Sequence, residues 1–169
     1  MTQNIDHANI TIKIDFHCYK EESLLIYTPM IKKAFKICCE AHSGQTDKTG
    51  LPYCLHPVHL SYQMGDDENA VITALLHDVA EDTDITLSDL EHEGFNKEII
   101  KALTLLTHDP KIPYMEYIEN IKANELAKKV KIADLTHNSD LSRLDKINDR
   151  DLERTQKYKK AIQILNGND

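Results

Sequence analysis

The sequence predicts an all-α fold, and three observations carry that prediction. Apolar residues recur at spacings of three and four through most of the chain, the period of a helical face. Helix start and stop signals separate these stretches by short connections. A single segment, "NITIKIDF" at 9–16, alternates apolar and polar residues as a strand does, and no second run offers it a partner.

The elements follow in order. Residues 1–20 are predicted to be an N-terminal extension that packs on the domain or pairs between subunits. Thr28-Pro29 sets a cap and a proline at the first helical position. Ile31, Ala34, Phe35, Cys38 and Ala41 then mark one face of the first helix. "HSGQTDKTGLPY" at 42–53 is a polar loop punctuated by Gly44, Gly50 and Pro52. Helices are predicted over 57–64 and 67–80. Thr86 can cap a short helix, "LSDLEHE", that stops at Gly94. Four more are predicted over 96–107, 113–122, 124–141 and 149–165.

At 169 residues one domain, here 21–169, is long enough to bury a substantial core. The composition is 41% hydrophobic with only five Gly and five Pro, which suits a compact helical protein and excludes disorder. A net charge of −8 argues against a nucleic-acid or membrane binder, since both need basic faces. It still permits local phosphate binding through a few cations or a metal. No stretch reads as a signal peptide, and no apolar run approaches about 18 residues. The four cysteines, Cys18, Cys38, Cys39 and Cys54, form no C-x-x-C pair. A reduced, cytoplasmic location with thiols used as small core residues is expected.

The unusual feature is where polar residues fall. In "ALLHDVAEDTD", Val71, Ala74, Leu75 and Asp78 share one helical face, and His77 lies beside it. Continuing that helix by one turn stacks Glu81 against His77 and Asp82 against Asp78. In "ELAKKVKIADLTHNSDLSRL", the stripe Ala127, Val130, Asp134, His137, Leu141, Leu144 includes two polar positions, and Asn138 lies one turn after Asp134. A third cluster, "YCLHPVHL", places His56 and His59 three residues apart, His56 directly before Pro57. One Asp or His in an apolar stripe is ordinarily a hydrogen-bonded core residue. Three such segments together point to a shared site, because burying unpaired carboxylates costs several kcal/mol, about what a cation can offset. Two imidazoles with two carboxylates suit Mn²⁺, Fe²⁺ or Zn²⁺.

These motifs, "HSGQTDKTGLPYCLHP", "ALLHDVAEDTDIT" and "KIADLTHN", resemble the hydrolase domain of the RelA/SpoT alarmone enzymes. They are most similar to the small alarmone hydrolases of the HD superfamily, over about residues 28–165. The resemblance implies a compact HD-domain helical bundle and a metal, usually manganese, held by His56, His77, Asp78 and Asp134. It implies that Glu81 and Asp82 act on the water that attacks the 3′-pyrophosphate of ppGpp. It further implies a nucleotide contact at Asn138 and a supporting role for His42. Lys48 is a candidate phosphate contact, whereas the ordinary reading of Lys131 and Arg143 is solvated surface charge. The implied partner is a small-molecule nucleotide, with no nucleic acid and no membrane; a homo-oligomer is allowed.

Two positions depart from the family. Asp47 stands where an arginine that stacks on guanine is usual, and Leu135 where Arg or Lys is common. A carboxylate cannot stack as a cation on the base. The alternatives are therefore a phosphohydrolase acting on another phosphorylated nucleotide, a non-catalytic nucleotide or metal-binding regulator on the same fold, and a structural set of buried ion pairs.

Overall fold

The computed structural model describes residues 27–167. The strand-like segment 9–16, the extension 1–20 and Cys18 lie outside them. Among the described residues the structure is all-helical. Nine α-helices run in chain order: α1 Pro29–Ala41, α2 Leu55–Tyr62, α3 Glu68–Leu76, α4 Val79–Asp82, α5 Leu87–His92, α6 Lys97–Leu106, α7 Tyr114–Lys122, α8 Glu125–Ser139 and α9 Asp149–Leu165. A 3₁₀ turn, Leu141–Arg143, follows α8. No described helix is long and apolar enough to cross a membrane.

Local chemistry sets the boundaries. The Thr28 hydroxyl accepts from the Ile31 amide at 3.1 Å and starts α1. Thr86 and Asp89 form a reciprocal capping box on α5, and Gly94, at φ 90°, takes the left-handed conformation just past its end. Asn148 and Asp151 do the same for α9. Replacing Asn148 with alanine is expected to cost about 1 kcal/mol, read as a melting temperature lower by about 2–4 °C.

Helix α3 is the centre of the fold. It packs against α1, α2, α6 and α8. Ala70 through Leu76 are all buried, which is why this helix is apolar on every side rather than along one stripe. Leu75, Leu76, Ile99, Leu103, Ile118, Ile121 and Leu135 fill the core around it. Helix α9 closes the bundle against α7 and α8.

One predicted helix is corrected. The stretch expected to run unbroken over 67–80 is interrupted at His77 and Asp78, and α4 restarts at Val79. The cause is a side chain. His77 Nδ1 donates to the Ala74 carbonyl at 2.8 Å, the acceptor that the Asp78 amide would use in a continuous helix. The break lies where three core-centred elements meet the polar residues.

Candidate active site

Three elements deliver the polar residues to one place. His56 is the second residue of α2, where Pro57 costs nothing because first-turn amides have no helical partner. His77 and Asp78 sit at the α3–α4 break. Asp134 projects inward from the middle of α8. His56 Nε2 lies 3.8 Å from Asp78 Oδ2 and 3.3 Å from Asp134 Oδ1. His77 Nε2 lies 2.9 Å and 4.0 Å from the same two oxygens. The ligand atoms of His56, His77 and Asp78 are all within 4.8 Å of one another.

This donor set fits a divalent metal. The Nε2 atoms of both His56 and His77 are buried without a hydrogen-bond partner. In His77 the Nδ1 proton is committed to the Ala74 carbonyl, so a neutral ring would turn a lone pair toward two carboxylates. Two lone pairs facing two anions repel unless a proton or a cation sits between them. Burial alone would lower the His77 pKa, yet the Asp78 carboxylate beside it raises it to about 9. Burial likewise opposes ionisation of Asp134, but the Lys131 ammonium and the two imidazoles hold it far below the carboxylate range.

Neighbouring groups hold the carboxylates. Tyr53 donates its hydroxyl to Asp78 Oδ2 at 2.6 Å. Asn138 Nδ2 donates to Asp134 Oδ1 at 2.6 Å, and Lys131 Nζ to Asp134 Oδ2 at 2.9 Å. Lys131 is thus a buried partner of the site, not the solvated charge its sequence position suggested; its ammonium also lies 5.5 Å from the centre of the Tyr117 ring. Replacing Tyr53 with phenylalanine is expected to weaken divalent-ion binding by about 10–100-fold, the usual cost of losing a group that orients a ligand. Calorimetric titration with Mn²⁺ reads it directly.

Glu81 and Asp82 occupy α4, next to the cluster. Glu81 Oε2 accepts from the His108 amide at 3.1 Å. Burial raises the pKa of Glu81; burial and then the Asp78 charge raise that of Asp82. His42 is buried at the end of α1. Its Nδ1 meets Gln45 Oε1 at 2.8 Å and its ring lies 4.9 Å from that of Tyr53, so it supports the wall of the site. His137, on α8, bonds His56 ring to ring, Nδ1 to Nδ1, at 2.6 Å and stacks on His59 at 4.3 Å. Burial, then the charges of His56 and Arg143, lower the His137 pKa to about 4.

A cavity of about 340 Å³ adjoins the cluster. Tyr53 and Asn138, whose polar ends hold Asp78 and Asp134, line its wall, together with Tyr158, the cations Lys48, Arg143 and Arg154 and the carboxylates Asp47 and Asp140. Lys48 is exposed and lies 3.5 Å from Asp151 Oδ1, which Arg154 also meets at 3.1 Å. Arg143, expected to be a solvated charge, is instead paired with Asp47 at 3.0 Å. Asp47 accepts from the Thr49 amide and hydroxyl and the Leu51 amide at 2.8, 2.6 and 3.1 Å. Burial opposes its charge, but those bonds and Arg143 hold its pKa below the carboxylate range. The residue that departs from the family pattern therefore builds the loop and anchors a cation. Tyr53, Arg154 and Tyr158 were missed from sequence. Tyr53, three residues before His56, carried the one local hint.

Fold and cluster together define a class: an all-helical domain with an imidazole–carboxylate cluster able to hold a divalent metal. Within it, the particular relatives are the RelA/SpoT-type proteins, in keeping with the motifs. The chain is 36% identical over 114 residues to the guanosine-3′,5′-bis(diphosphate) 3′-pyrophosphohydrolase of Aquifex aeolicus, a match spanning 63% of this chain and 16% of that protein. It is 30% identical over 122 residues to the bifunctional (p)ppGpp synthase/hydrolase SpoT of Escherichia coli, spanning 64% and 17%. It is 32% identical over 126 residues to the GTP pyrophosphokinase of Myxococcus xanthus, spanning 64% and 16%. The chain thus matches about one sixth of the length of these relatives. A solved structure of a metazoan ortholog of SpoT, described as hydrolysing ppGpp, shares the fold with a TM-score of 0.68 at 24% identity, covering 83% of this chain and 86% of that one. No family model matches the chain.

Proposed function

We propose that this chain is a divalent-metal-dependent pyrophosphohydrolase that removes the 3′-pyrophosphate from (p)ppGpp, with Mn²⁺ as the resident ion. The observation that carries the reading is the convergence of His56, His77, Asp78 and Asp134 beside a polar cavity lined by three cations and two carboxylates. The names of the relatives support the substrate. When bound, the ion supplies Lewis acidity toward phosphate oxygens and acidifies water. His56, His77, Asp78 and Asp134 would hold it.

The remaining work falls to this chain's own side chains. Asp82, whose pKa burial and then the Asp78 charge raise, is suited as its carboxylate to take a proton from the attacking water. Glu81, one residue before it on α4, accepts from the His108 amide. Lys48, Arg143 and Arg154 face the cavity and suit the substrate's phosphates, as positioning and charge neutralisation dominate phosphoryl transfer. Asn138 belongs to both cavity and cluster and would orient the reacting group relative to Asp134. A cytoplasmic location accompanies this reading, supported by the buried Cys38 thiol, whose pKa burial pushes up and whose sulfur is free.

The test is direct. Purified protein with Mn²⁺ is expected to release pyrophosphate from ppGpp and to lose that activity on chelation. Metal bound at one equivalent with no turnover of ppGpp would reject the alarmone substrate. The tie between Asp47 and Arg143 favours a second reading, a different phosphorylated nucleotide, because the loop carries no free arginine for the base. Turnover of nucleotides lacking a 3′-phosphate would establish it.

A further inference from the structure

Arg143 touches both the cavity and the metal cluster through one intermediary. Its Nη2 donates to Asp47 Oδ2 at 3.0 Å on the cavity side. Its Nη1 lies 3.2 Å from His137 Nδ1 and donates to the His137 carbonyl at 3.2 Å. His137 Nδ1 is in turn 2.6 Å from Nδ1 of His56. A guanidinium carries only donors, so whatever it meets on the His137 ring must be a lone pair. His137 Nδ1 is therefore unprotonated, and its proton sits on Nε2. A ring nitrogen that can only accept requires a donor from its other neighbour, so its one lone pair is shared between the His56 ring at 2.6 Å and the more distant guanidinium at 3.2 Å, which places the His56 proton on Nδ1. The His56 lone pair is then on Nε2, the buried unpartnered atom aimed at Asp78 and Asp134.

We propose that Arg143 and His137 form a positioning relay that sets the tautomer of the metal ligand His56 and ties it to the wall of the nucleotide cavity. The order is Asp47, Arg143, His137, His56. Asp47 holds the guanidinium in place from the loop, and Arg143 imposes acceptor character on His137. His137 then orients the imidazole that reaches the metal. Asp47 is the anchor of this relay in the loop, and its cation comes from the turn after α8. A group bound in the cavity that draws Arg143 away from His137 would loosen His56, so occupancy of the cavity and affinity for the ion are coupled.

The proposal rests on reading the cluster as a metal site, and the experiment separates the two. Mn²⁺ is titrated into the full chain, with the free ion followed by electron paramagnetic resonance, for the parent, His137→Phe, Arg143→Met and Arg143→Lys. Melting temperatures serve as a folding control. His137→Phe is expected to weaken Mn²⁺ binding by about 10–100-fold and Arg143→Met by about tenfold, the range for groups that orient a ligand. Arg143→Lys, which keeps a donor, is expected to recover part of the loss. In ¹⁵N-histidine-labelled parent without metal at pH 8, His56 should carry its proton on Nδ1 and His137 on Nε2, and Arg143→Met should mix both tautomers. This spectrum keeps the proposal testable even if His137→Phe folds poorly. Parent that binds Mn²⁺ while both substitutions stay within twofold of it, or His56 protonated on Nε2, would overturn the relay and leave the metal site standing. Parent that binds no Mn²⁺ would remove the metal reading and the relay with it.

Discussion

Asp134→Asn is expected to abolish measurable Mn²⁺ binding and to lower turnover of ppGpp by about 10³-fold, since loss of Lewis-acid stabilisation is worth several kcal/mol. The carboxylate occupies the one position in α8 that reaches both imidazoles, with Oδ1 at 3.3 and 4.0 Å from their Nε2 atoms. An asparagine keeps the shape but removes the charge that the two lone pairs and a cation share. Its amide also turns a donor toward Asn138 Nδ2 or Lys131 Nζ, both of which now donate to Asp134. The buried Lys131 ammonium loses its partner, a change that typically costs about 3–5 kcal/mol when one member of a buried pair is removed. Side-chain exposure of 14% at Lys131 lets water enter and puts the expected cost at the lower end of that range. Two readouts therefore move together: metal binding by titration, and melting temperature of the metal-free protein. Removing Lys131 as well, as Asp134→Asn with Lys131→Met, should restore much of the thermal stability and none of the metal binding. Mn²⁺ bound with parent affinity by Asp134→Asn would remove Asp134 from the ligand set.

What the sequence made legible follows the range of the interactions involved. Helix α9 is found at its predicted limits, 149–165, because Asn148 and Asp151 fix its start within four residues. Asp134 and His137 were visible because each breaks an apolar stripe within a single helix. The break after Leu76 was not, since it depends on which acceptor the His77 ring chooses once the core has fixed its rotamer. Asp47 and Arg143 are 96 residues apart, and nothing local to either announces that the two neutralise each other. Tyr53 and Asp78 are separated by 25 residues and two helices, α2 and α3. Lys131 is the instructive failure. Its partner is three residues away on the same helix, so the pair was readable, but periodicity alone does not tell a buried flank of a helix from a wet one.

Asp82→Asn is expected to leave Mn²⁺ affinity within a few-fold of the parent while lowering kcat by about 10²–10⁴-fold, the usual contribution of a positioned general base. The choice of Asp82 over Glu81 comes from their neighbours. Glu81 spends an oxygen on the His108 amide, at 3.1 Å, a bond that fixes its direction and lowers its basicity. Among the described residues Asp82 Oδ2 meets just the Tyr53 hydroxyl, at 3.5 Å, and that hydroxyl is already committed to Asp78 at 2.6 Å. Its lone pairs are therefore available beside the cluster. Burial first, then the Asp78 charge, raise the Asp82 pKa, which makes its carboxylate a stronger base than an ordinary aspartate. The sign for activity follows. The working form is deprotonated, so kcat should fall as pH drops through the raised pKa, with the acid limb displaced upward from that of an ordinary aspartate. In Asp82→Asn that limb should vanish from the residual rate. Glu81→Gln keeps the acceptor for the His108 amide and should cost less. If Glu81→Gln loses the greater part of kcat and Asp82→Asn little, the two carboxylates exchange roles, and the amide bond to His108 becomes the device that aims the base.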